Sequence, residues 1–168
     1  MSNEKKNNQQ IPDWAKGDPL MEWYAATIWG KKVQEDDKLF ELMSLQIFQA
    51  GLSWRMILAR WDAFHKAFMG WRIDKVASFG PNETHQLMKE RTIIRNQRKI
   101  EACINNAKTI QKIQKQHGSF CKWFYEDLEG NNLGQLQNNL RKTFKFVGPE
   151  IARMWLMASG RITPDYQG

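Results

Sequence analysis

The stretch FELMSLQIFQAGLSW, residues 40–54, decides the fold of this 168-residue chain. It is a long apolar run that contains one polar residue, Gln46, where helical spacing favours an apolar side chain. The run breaks at Gly51 and restarts at Ser53. A helix that ends in glycine, followed by a helix that is capped by serine, makes a tight corner. Polar and aromatic side chains surround this corner, so its composition is that of a pocket wall rather than a packed core.

Helical patterns continue on both sides of this stretch, and the sequence shows no alternating apolar run of the kind that forms strands. Asp18-Pro19 predicts a helix start, and Asp36 or Asp37 is expected to cap the second helix. The predicted helices cover residues 20–29, 38–50, 53–68, 74–79, 82–90, 96–116, a segment from 119, 133–144 and 149–159. The fold class is therefore all-α, with one helical domain over residues 12–168 and a disordered polar segment over residues 1–11.

The composition favours a protein that binds an anionic partner. The formal charge is +7 and the pI about 9.5, and nucleic acid is the first candidate for such a surface, although charge alone is weak support. Met1–Gln10 lacks the apolar core of a signal peptide, and no apolar run reaches membrane-spanning length, so a cytoplasmic location and no membrane partner are expected. Cys103 and Cys121 form no CxxC pair and are predicted to be two buried, reduced thiols.

A helix-hairpin-helix pattern occurs near the C-terminal end, in the segment FKFVGPEIA over residues 144–152. Such a hairpin exposes backbone N–H groups beside the start of the next helix, which together bind a DNA phosphate. Lys142 and Lys145 flank the turn and would add contacts that release counterions. The usual hairpin has a second glycine two residues before Gly148, where this chain has Phe146. An ordinary Gly-Pro corner between two helices remains an alternative.

Two further clusters have the residue types of a nucleic-acid site. Basic residues lie just before and at the start of the longest helix, where the helix dipole disfavours cations, which favours a role in contacting phosphate. The alternative is that they form an ordinary solvent-exposed face. These residues are Arg91, Arg95, Arg98 and Lys99. The second cluster is aromatic, and aromatic faces can hold a flipped base while an amide reads the edge of an adenine. The cluster comprises Trp23, Tyr24, Trp29 and Trp54, together with Gln46. The alternative interpretation is that these rings belong to the hydrophobic core and that the Gln46 amide is hydrogen-bonded to the backbone.

No metal site, cofactor loop or nucleophile motif is visible in the sequence. His65, His85 and His117 are scattered and lack the spacing of metal ligands. The chain has no glycine-rich phosphate loop and no Gly-x-Ser-x-Gly elbow. We therefore expect neither a metal nor a cofactor.

At this point the sequence resembles the constitutive bacterial 3-methyladenine DNA glycosylase I family. The resemblance covers roughly residues 12–163, and the pair QAGLSW and FKFVGP in register is its most specific part. The matching segments are Asp18-Pro19-Leu20, Tyr24, Trp29-Gly30, Leu39-Phe40-Glu41, residues 49–54, residues 93–100 and residues 144–149.

The resemblance implies a helix-hairpin-helix glycosylase fold, with two helical lobes around a base-binding cleft. It implies an enzyme that flips alkylated purines, chiefly 3-methyladenine, out of double-stranded DNA and hydrolyses the N-glycosidic bond. This is the monofunctional first step of base excision repair. The enzyme is expected to act as a monomer and without a cofactor.

The resemblance also assigns residues by position. Tyr24, Trp29 and Trp54 match the aromatics that bind the base, and Met21 replaces a pocket tyrosine. The corner Gly51-Leu52 matches the loop that wedges into the duplex. Gly148 matches the hairpin that holds the DNA backbone, where Lys142, Lys145 and Arg95 are the expected basic contacts.

Two departures from the family matter. Gln46 stands at the position of the catalytic pocket glutamate, so weaker discrimination in favour of cationic lesions, or a changed substrate, is expected. The family's structural zinc is held by two Cys and two His, but Pro12 and Ala25 stand at the first two ligand positions and the chain ends at Gly168 without the last two. We therefore predict no zinc, with the termini held by packing that involves Trp14.

Three hypotheses remain open at this stage. The first is a DNA glycosylase for alkylated purines. The second is a DNA-binding protein of the same fold whose excision activity is lost or altered, which Gln46, Met21 and the missing zinc ligands favour. The third is a helical scaffold whose basic surface binds another acidic partner.

Overall fold

A computed structural model describes residues 10–166, and all regular structure within this range is helical. The all-α prediction is confirmed. The segment predicted to be disordered lies outside the described residues, apart from Gln10 and Ile11, which are exposed. The helices are α1 Pro19–Thr27, α2 Asp36–Gln49, α3 Trp54–Ala59, α4 Trp61–Ala67, α5 Ile73–Ala77, α6 Pro81–Lys89, α7 Gln97–His117, α8 Phe120–Lys122, α9 Leu133–Thr143 and α10 Pro149–Ala158, with a 3₁₀ turn at Met69–Trp71 and a π-helical segment at Trp123–Asp127.

Helix α2, which the opening stretch forms, is the centre of the fold. Every residue from Leu39 to Phe48 is buried, as expected for a helix that is covered on all sides. Helices α10, α7, α3, α5 and α8 pack around it, and α1 packs on α3. No helix of the described range is long and apolar enough to cross a membrane.

The predicted corner after α2 is confirmed. Gly51 has a φ of +79°, a conformation that glycine adopts without the steric penalty of a side chain. The Ser53 hydroxyl accepts a hydrogen bond from the Met56 N–H at 3.2 Å and so caps α3. The prediction of one helix over residues 53–68 is wrong. The backbone leaves helical geometry at Arg60 (φ −108°, ψ 11°), and the redirected helix α4 places Phe64 against Phe48 in the core.

The predicted cap of α2 is also wrong. Glu35 occupies the cap position without a side-chain bond, and the two aspartates lie in the first turn of α2. The Asp36 carboxylate accepts hydrogen bonds from the N–H groups of Phe120 and Cys121, both at 2.9 Å, at the start of α8, which Ser119 caps. Asp37 accepts from the N–H of Ile73 at 3.0 Å, at the start of α5. Both carboxylates therefore join α2 to its neighbours.

The prediction for the cysteines holds for one of the two residues. Both are free thiols, but only Cys103 is buried, and Cys121 is half-buried. Cys121 lies in α8, where its N–H donates to the Asp36 carboxylate.

Candidate functional site: an aromatic cavity beside a corner and a hairpin

A cavity of about 220 Å³ opens between α1, α2, α3 and α10. The five pocket residues that the family resemblance assigned all line it, namely Met21, Tyr24, Trp29, Gln46 and Trp54. Helix α3 packs on the buried α2 and α1 packs on α3, and all three helices contribute residues to the same wall.

The aromatic rings of the cavity contact one another at steep angles. The ring centroids of Tyr24 and Trp54 are 5.2 Å apart at 60°, and those of Trp14 and Trp29 are 5.4 Å apart at 72°. Neither pair is stacked face to face; the edge of one ring lies against the face of the other. Burial raises the pKa of Tyr24 far above its ordinary value, and its hydroxyl is therefore neutral at physiological pH.

Gln46 provides the polar group of the cavity. Its side chain is buried, with 2% of the residue exposed, and its Oε1 atom has no hydrogen-bond partner in the protein. A buried amide without a partner costs about 1–3 kcal/mol, which a ligand that bonds to it would recover. No acidic side chain lines the cavity within the described range; its one charged residue, Arg153, is paired with Glu150 at 2.6 and 3.1 Å.

The assignment of Trp23 to the aromatic cluster is wrong. Its side chain is 44% exposed and packs edge-to-face on Trp61, with centroids 6.3 Å apart, outside the cavity. Neighbouring residues of a helix point in directions about 100° apart, so Trp23 and Tyr24 do not share a face.

Sequence reasoning missed about half of the cavity wall. Trp14 lines the cavity and packs on both Trp29 and Tyr24, and the prediction had given it only a role in holding the chain end. The last helix supplies the rest, Arg153, Met154, Met157 and Ala158. Their spacing of three to four residues marks one helical face, and this was the signal that could have identified them.

Leu52 lies in the corner after α2 and is 37% exposed, close in the chain to Trp54, which forms part of the cavity wall. A buried lysine from the predicted basic cluster holds this corner. Lys99 Nζ donates to the carbonyl oxygens of Phe48 at 3.0 Å and Ala50 at 2.8 Å. The prediction of a phosphate-facing role is therefore wrong for Lys99, since its charge compensates the C-terminal end of α2.

The other three members of that basic cluster are exposed. Arg91 and Arg95 precede α7, and Arg98 lies in its first turn. Arg95 thus stays available for the predicted DNA contact.

The hairpin between α9 and α10 forms as predicted in outline. Phe146 has a φ of +59°, the left-handed conformation for which the usual motif has glycine. Its ring is 45% exposed and lies under the guanidinium of Arg98, 5.5 Å from the centroid. Gly148 begins α10 at an ordinary φ of −69°, followed by Pro149. Lys142 and Lys145 are exposed on either side of the turn.

The zinc site that the family resemblance implies does not fit the residues present. Pro12 and Ala25 line one recess together with Gly30, and neither carries a side chain that can bind a metal. The described part of the chain contains no group of three or more His, Cys, Asp or Glu side chains placed around a common point. The segment after α1 contacts the end of α10 directly, because the Gly30 N–H donates to the Ala158 carbonyl at 2.9 Å.

A helical fold that combines an aromatic cavity, an exposed corner beside it and a helix-hairpin-helix turn is that of the helix-hairpin-helix DNA glycosylase class. The family model described as methyladenine glycosylase matches residues 14–143, and the chain belongs to this family. The predicted family is confirmed.

Known relatives agree with this membership. DNA-3-methyladenine glycosylase 1 of Escherichia coli (strain K12) is 25% identical over 173 residues, which is 92% of each chain. DNA-3-methyladenine glycosylase of Haemophilus influenzae is 31% identical over 97 residues, or 58% of this chain and 52% of that protein.

Solved structures confirm the fold. The 3-methyladenine DNA glycosylase I from Staphylococcus aureus superposes with a TM-score of 0.81 at 28% identity and covers 90% of both chains. Another structure of 3-methyladenine DNA glycosylase I gives a TM-score of 0.82 at 27% identity, over 94% of this chain and 96% of that one. A Tyr-to-Phe mutant of 3-methyladenine DNA glycosylase I in complex with 3-methyladenine gives 0.80 at 28% identity, over 90% and 91%.

Proposed function

We propose that this chain is a monofunctional DNA glycosylase that flips an alkylated purine of the 3-methyladenine type into the cavity and hydrolyses its N-glycosidic bond. The reaction would start base excision repair on double-stranded DNA in the cytoplasm, with the enzyme acting as a monomer and without a cofactor. The observation that carries the proposal is the cavity itself, where aromatic rings surround a buried amide with an unpartnered oxygen.

Base recognition would combine stacking with one directed contact. A methylated adenine that is still attached to the sugar carries a positive charge, which the faces of Trp and Tyr rings attract. The Gln46 oxygen can accept a hydrogen bond from the exocyclic amino group, and the amide NH₂ can donate to a ring nitrogen. Gln46 is the residue that we place in the catalytic position, and its contribution is orientation, because an amide does not titrate.

The chemistry needs little from the protein. The glycosidic bond of a cationic purine is already weak, so the electron pair of the C–N bond leaves with the base, which departs neutral. Water adds to the oxocarbenium-like sugar and loses its proton to solvent, while the DNA phosphates balance the positive charge. Positioning is then the main catalytic contribution. No lysine lines the cavity in the described range, which agrees with a hydrolase that forms no Schiff base with the sugar.

The two DNA-facing elements would hold the flipped state. Leu52 would occupy the space that the flipped nucleotide leaves in the duplex. The hairpin at Gly148 would bind a backbone phosphate through N–H groups, and Lys142, Lys145 and Arg95 would add charge contacts.

A second candidate function is DNA binding with lost or altered excision. One observation favours it: the cavity offers an amide and no carboxylate to a cationic base. A carboxylate would bind such a base by charge as well as by hydrogen bonding.

A base-release assay separates the two functions. Duplex DNA that carries 3-methyladenine is incubated with excess enzyme, free base is quantified by chromatography, and DNA binding is measured at two salt concentrations. We expect free 3-methyladenine from the unmodified protein and from Trp23→Ala, whose ring lies outside the cavity. Trp54→Ala should release the base about 5–150-fold more slowly, since base–aromatic stacking contributes about 1–3 kcal/mol per base. Salt-sensitive binding without any free base would establish the second function instead.

A further inference from the structure

Helix α7 carries two buried polar side chains that reach the two DNA-facing elements. Lys99 and Asn106 are seven residues apart, so they lie two turns apart on one side of the helix, roughly 10 Å along its axis. Lys99 bonds to the corner that presents Leu52, and Asn106 bonds to the hairpin. Neither residue lines the cavity.

Lys99 closes the C-terminal end of α2 immediately before Gly51. Its ammonium group bonds to two carbonyl oxygens, those of Phe48 and Ala50, which no longer have partners in the helix. The residue is only 9% exposed, so water cannot replace these bonds readily. The position of the corner therefore depends on α7 as well as on α2.

Asn106 grips the hairpin backbone with both ends of its amide. The Lys145 N–H donates to Asn106 Oδ1 at 2.8 Å, and Asn106 Nδ2 donates to the Lys145 carbonyl at 3.0 Å. Asn106 is completely buried. Lys145 directly precedes Phe146, whose left-handed backbone conformation is unfavourable for a residue with a side chain and must be stabilised by its surroundings.

We propose that Lys99 and Asn106 are positioning residues through which α7 holds the wedge corner and the phosphate-binding hairpin at a fixed separation. When the hairpin binds a phosphate, Leu52 is then already aligned with the neighbouring base step. This inference rests on the proposed function. Preorganisation of this kind strengthens binding to DNA with a flipped or missing base, and it leaves the affinity of the cavity for a free base unchanged.

Asn106→Leu and Lys99→Met test the proposal. Each has a matched control on the same helix. Asn105→Leu changes an exposed asparagine whose amide bonds only to the Glu101 carbonyl of its own helix. Lys112→Met removes the same charge from an exposed site.

Three probes are compared for each variant. The first is a duplex with a tetrahydrofuran abasic-site analogue, which mimics a flipped nucleotide and needs no chemistry. The second is the same duplex undamaged. The third is free 3-methyladenine, whose binding is followed by tryptophan fluorescence.

Asn106→Leu should weaken binding to the abasic duplex by about tenfold or more, because it removes both hydrogen bonds that hold the Lys145 backbone of the hairpin. It should also reduce the magnitude of the negative slope of log K against log salt concentration by about 0.9, which corresponds to the loss of one phosphate contact. Lys99→Met should weaken abasic binding by about tenfold while the affinity for undamaged duplex and the salt slope match those of Lys112→Met. Both variants should bind free 3-methyladenine within twofold of the unmodified protein.

Two results would overturn the proposal. One is abasic-duplex affinity equal to that of the controls in folded variants. The other is a parallel loss of free-base and DNA binding, which indicates a merely structural role. If Asn106→Leu does not fold, Asn106→Ser replaces it under the same criteria. An unmodified protein that binds abasic and undamaged duplexes equally would instead refute the proposed function.

Discussion

Replacing Gln46 by glutamate is the most informative change to this protein. The substitution Gln46→Glu exchanges an amide for a carboxylate of nearly the same shape in a site that is 2% exposed. It therefore changes the charge of the cavity while keeping the packing of α2.

The expected gain follows from the hydrogen bond to the base. A hydrogen bond between neutral groups contributes about 0.5–1.5 kcal/mol, and one to a charged group about 1.5–3 kcal/mol. The difference of about 1–1.5 kcal/mol corresponds to roughly a 5–10-fold higher kcat/KM for a cationic lesion. Without a ligand, the introduced carboxyl is buried and unpaired, so the free energy of unfolding should fall by about 1–3 kcal/mol.

The assay is single-turnover release of 3-methyladenine from a duplex, combined with urea unfolding of the free protein. Gln116→Glu is the matched control, because it makes the same change of charge at an exposed residue near the end of α7. The control should leave both quantities nearly unchanged.

The opposite signs of the two effects make this prediction easy to refute. A Gln46→Glu protein that releases 3-methyladenine no faster than the unmodified protein would show that the amide does not limit the site. An increase in the free energy of unfolding would contradict the burial of an unpaired polar group at this position.

Three further substitutions test how the fold holds the site. Asp36→Asn should lower the free energy of unfolding by about 1–2 kcal/mol at pH 7, because an amide cannot accept all of the bonds that the half-buried carboxylate accepts. Burial opposes ionisation of Asp36, but hydrogen bonds outweigh it and hold its pKa below the ordinary 3.8, so this stability is present above 3.8 and is lost as the pH falls through the lowered pKa; a constant difference down to pH 3 would contradict this. Burial raises the pKa of Glu41 above 4.5, despite the 2.7 Å contact of its carboxylate with His65. The protonated Glu41 therefore contributes to the free energy of unfolding fully below pH 4.5, and this contribution is lost as the pH rises through the raised pKa. Urea titrations of Glu41→Gln between pH 4.5 and the raised pKa should show a smaller decrease of the free energy of unfolding with pH than the unmodified protein. An unchanged pH dependence would exclude Glu41 as the cause of that decrease. Gly160→Ala should destabilise by about 2 kcal/mol or more, since φ is +66° and a Cβ would lie 2.7 Å from the Gly30 carbonyl oxygen; an unchanged Tm would contradict this contact.

Local chemistry made the central part of this site predictable. The glycine and serine of the corner at Gly51 and Ser53 define the end of one helix and the start of the next, and both signals act over a few residues. The Gly-Pro hairpin is a local signal of the same kind. The resemblance to a family then placed Tyr24, Trp29 and Trp54 in one pocket, which spacing along the chain does not indicate.

What the sequence did not reveal depends on contacts between distant segments. Lys99 looked like a surface cation and is buried, because the α2 carbonyls that it caps lie about 50 residues earlier in the chain. Asp36 is of a residue type that caps helices locally, yet the backbone N–H groups that it binds lie more than 80 residues away. The contribution of α10 to the cavity was missed for the same reason.

The most direct test of the central claim is to follow a duplex with a single 3-methyladenine under excess enzyme and to identify the products by mass spectrometry. The account predicts free 3-methyladenine and an intact strand that carries an abasic site, because no lysine of the described range lines the cavity to cleave the sugar. Salt-sensitive binding to the duplex without release of the base would contradict it.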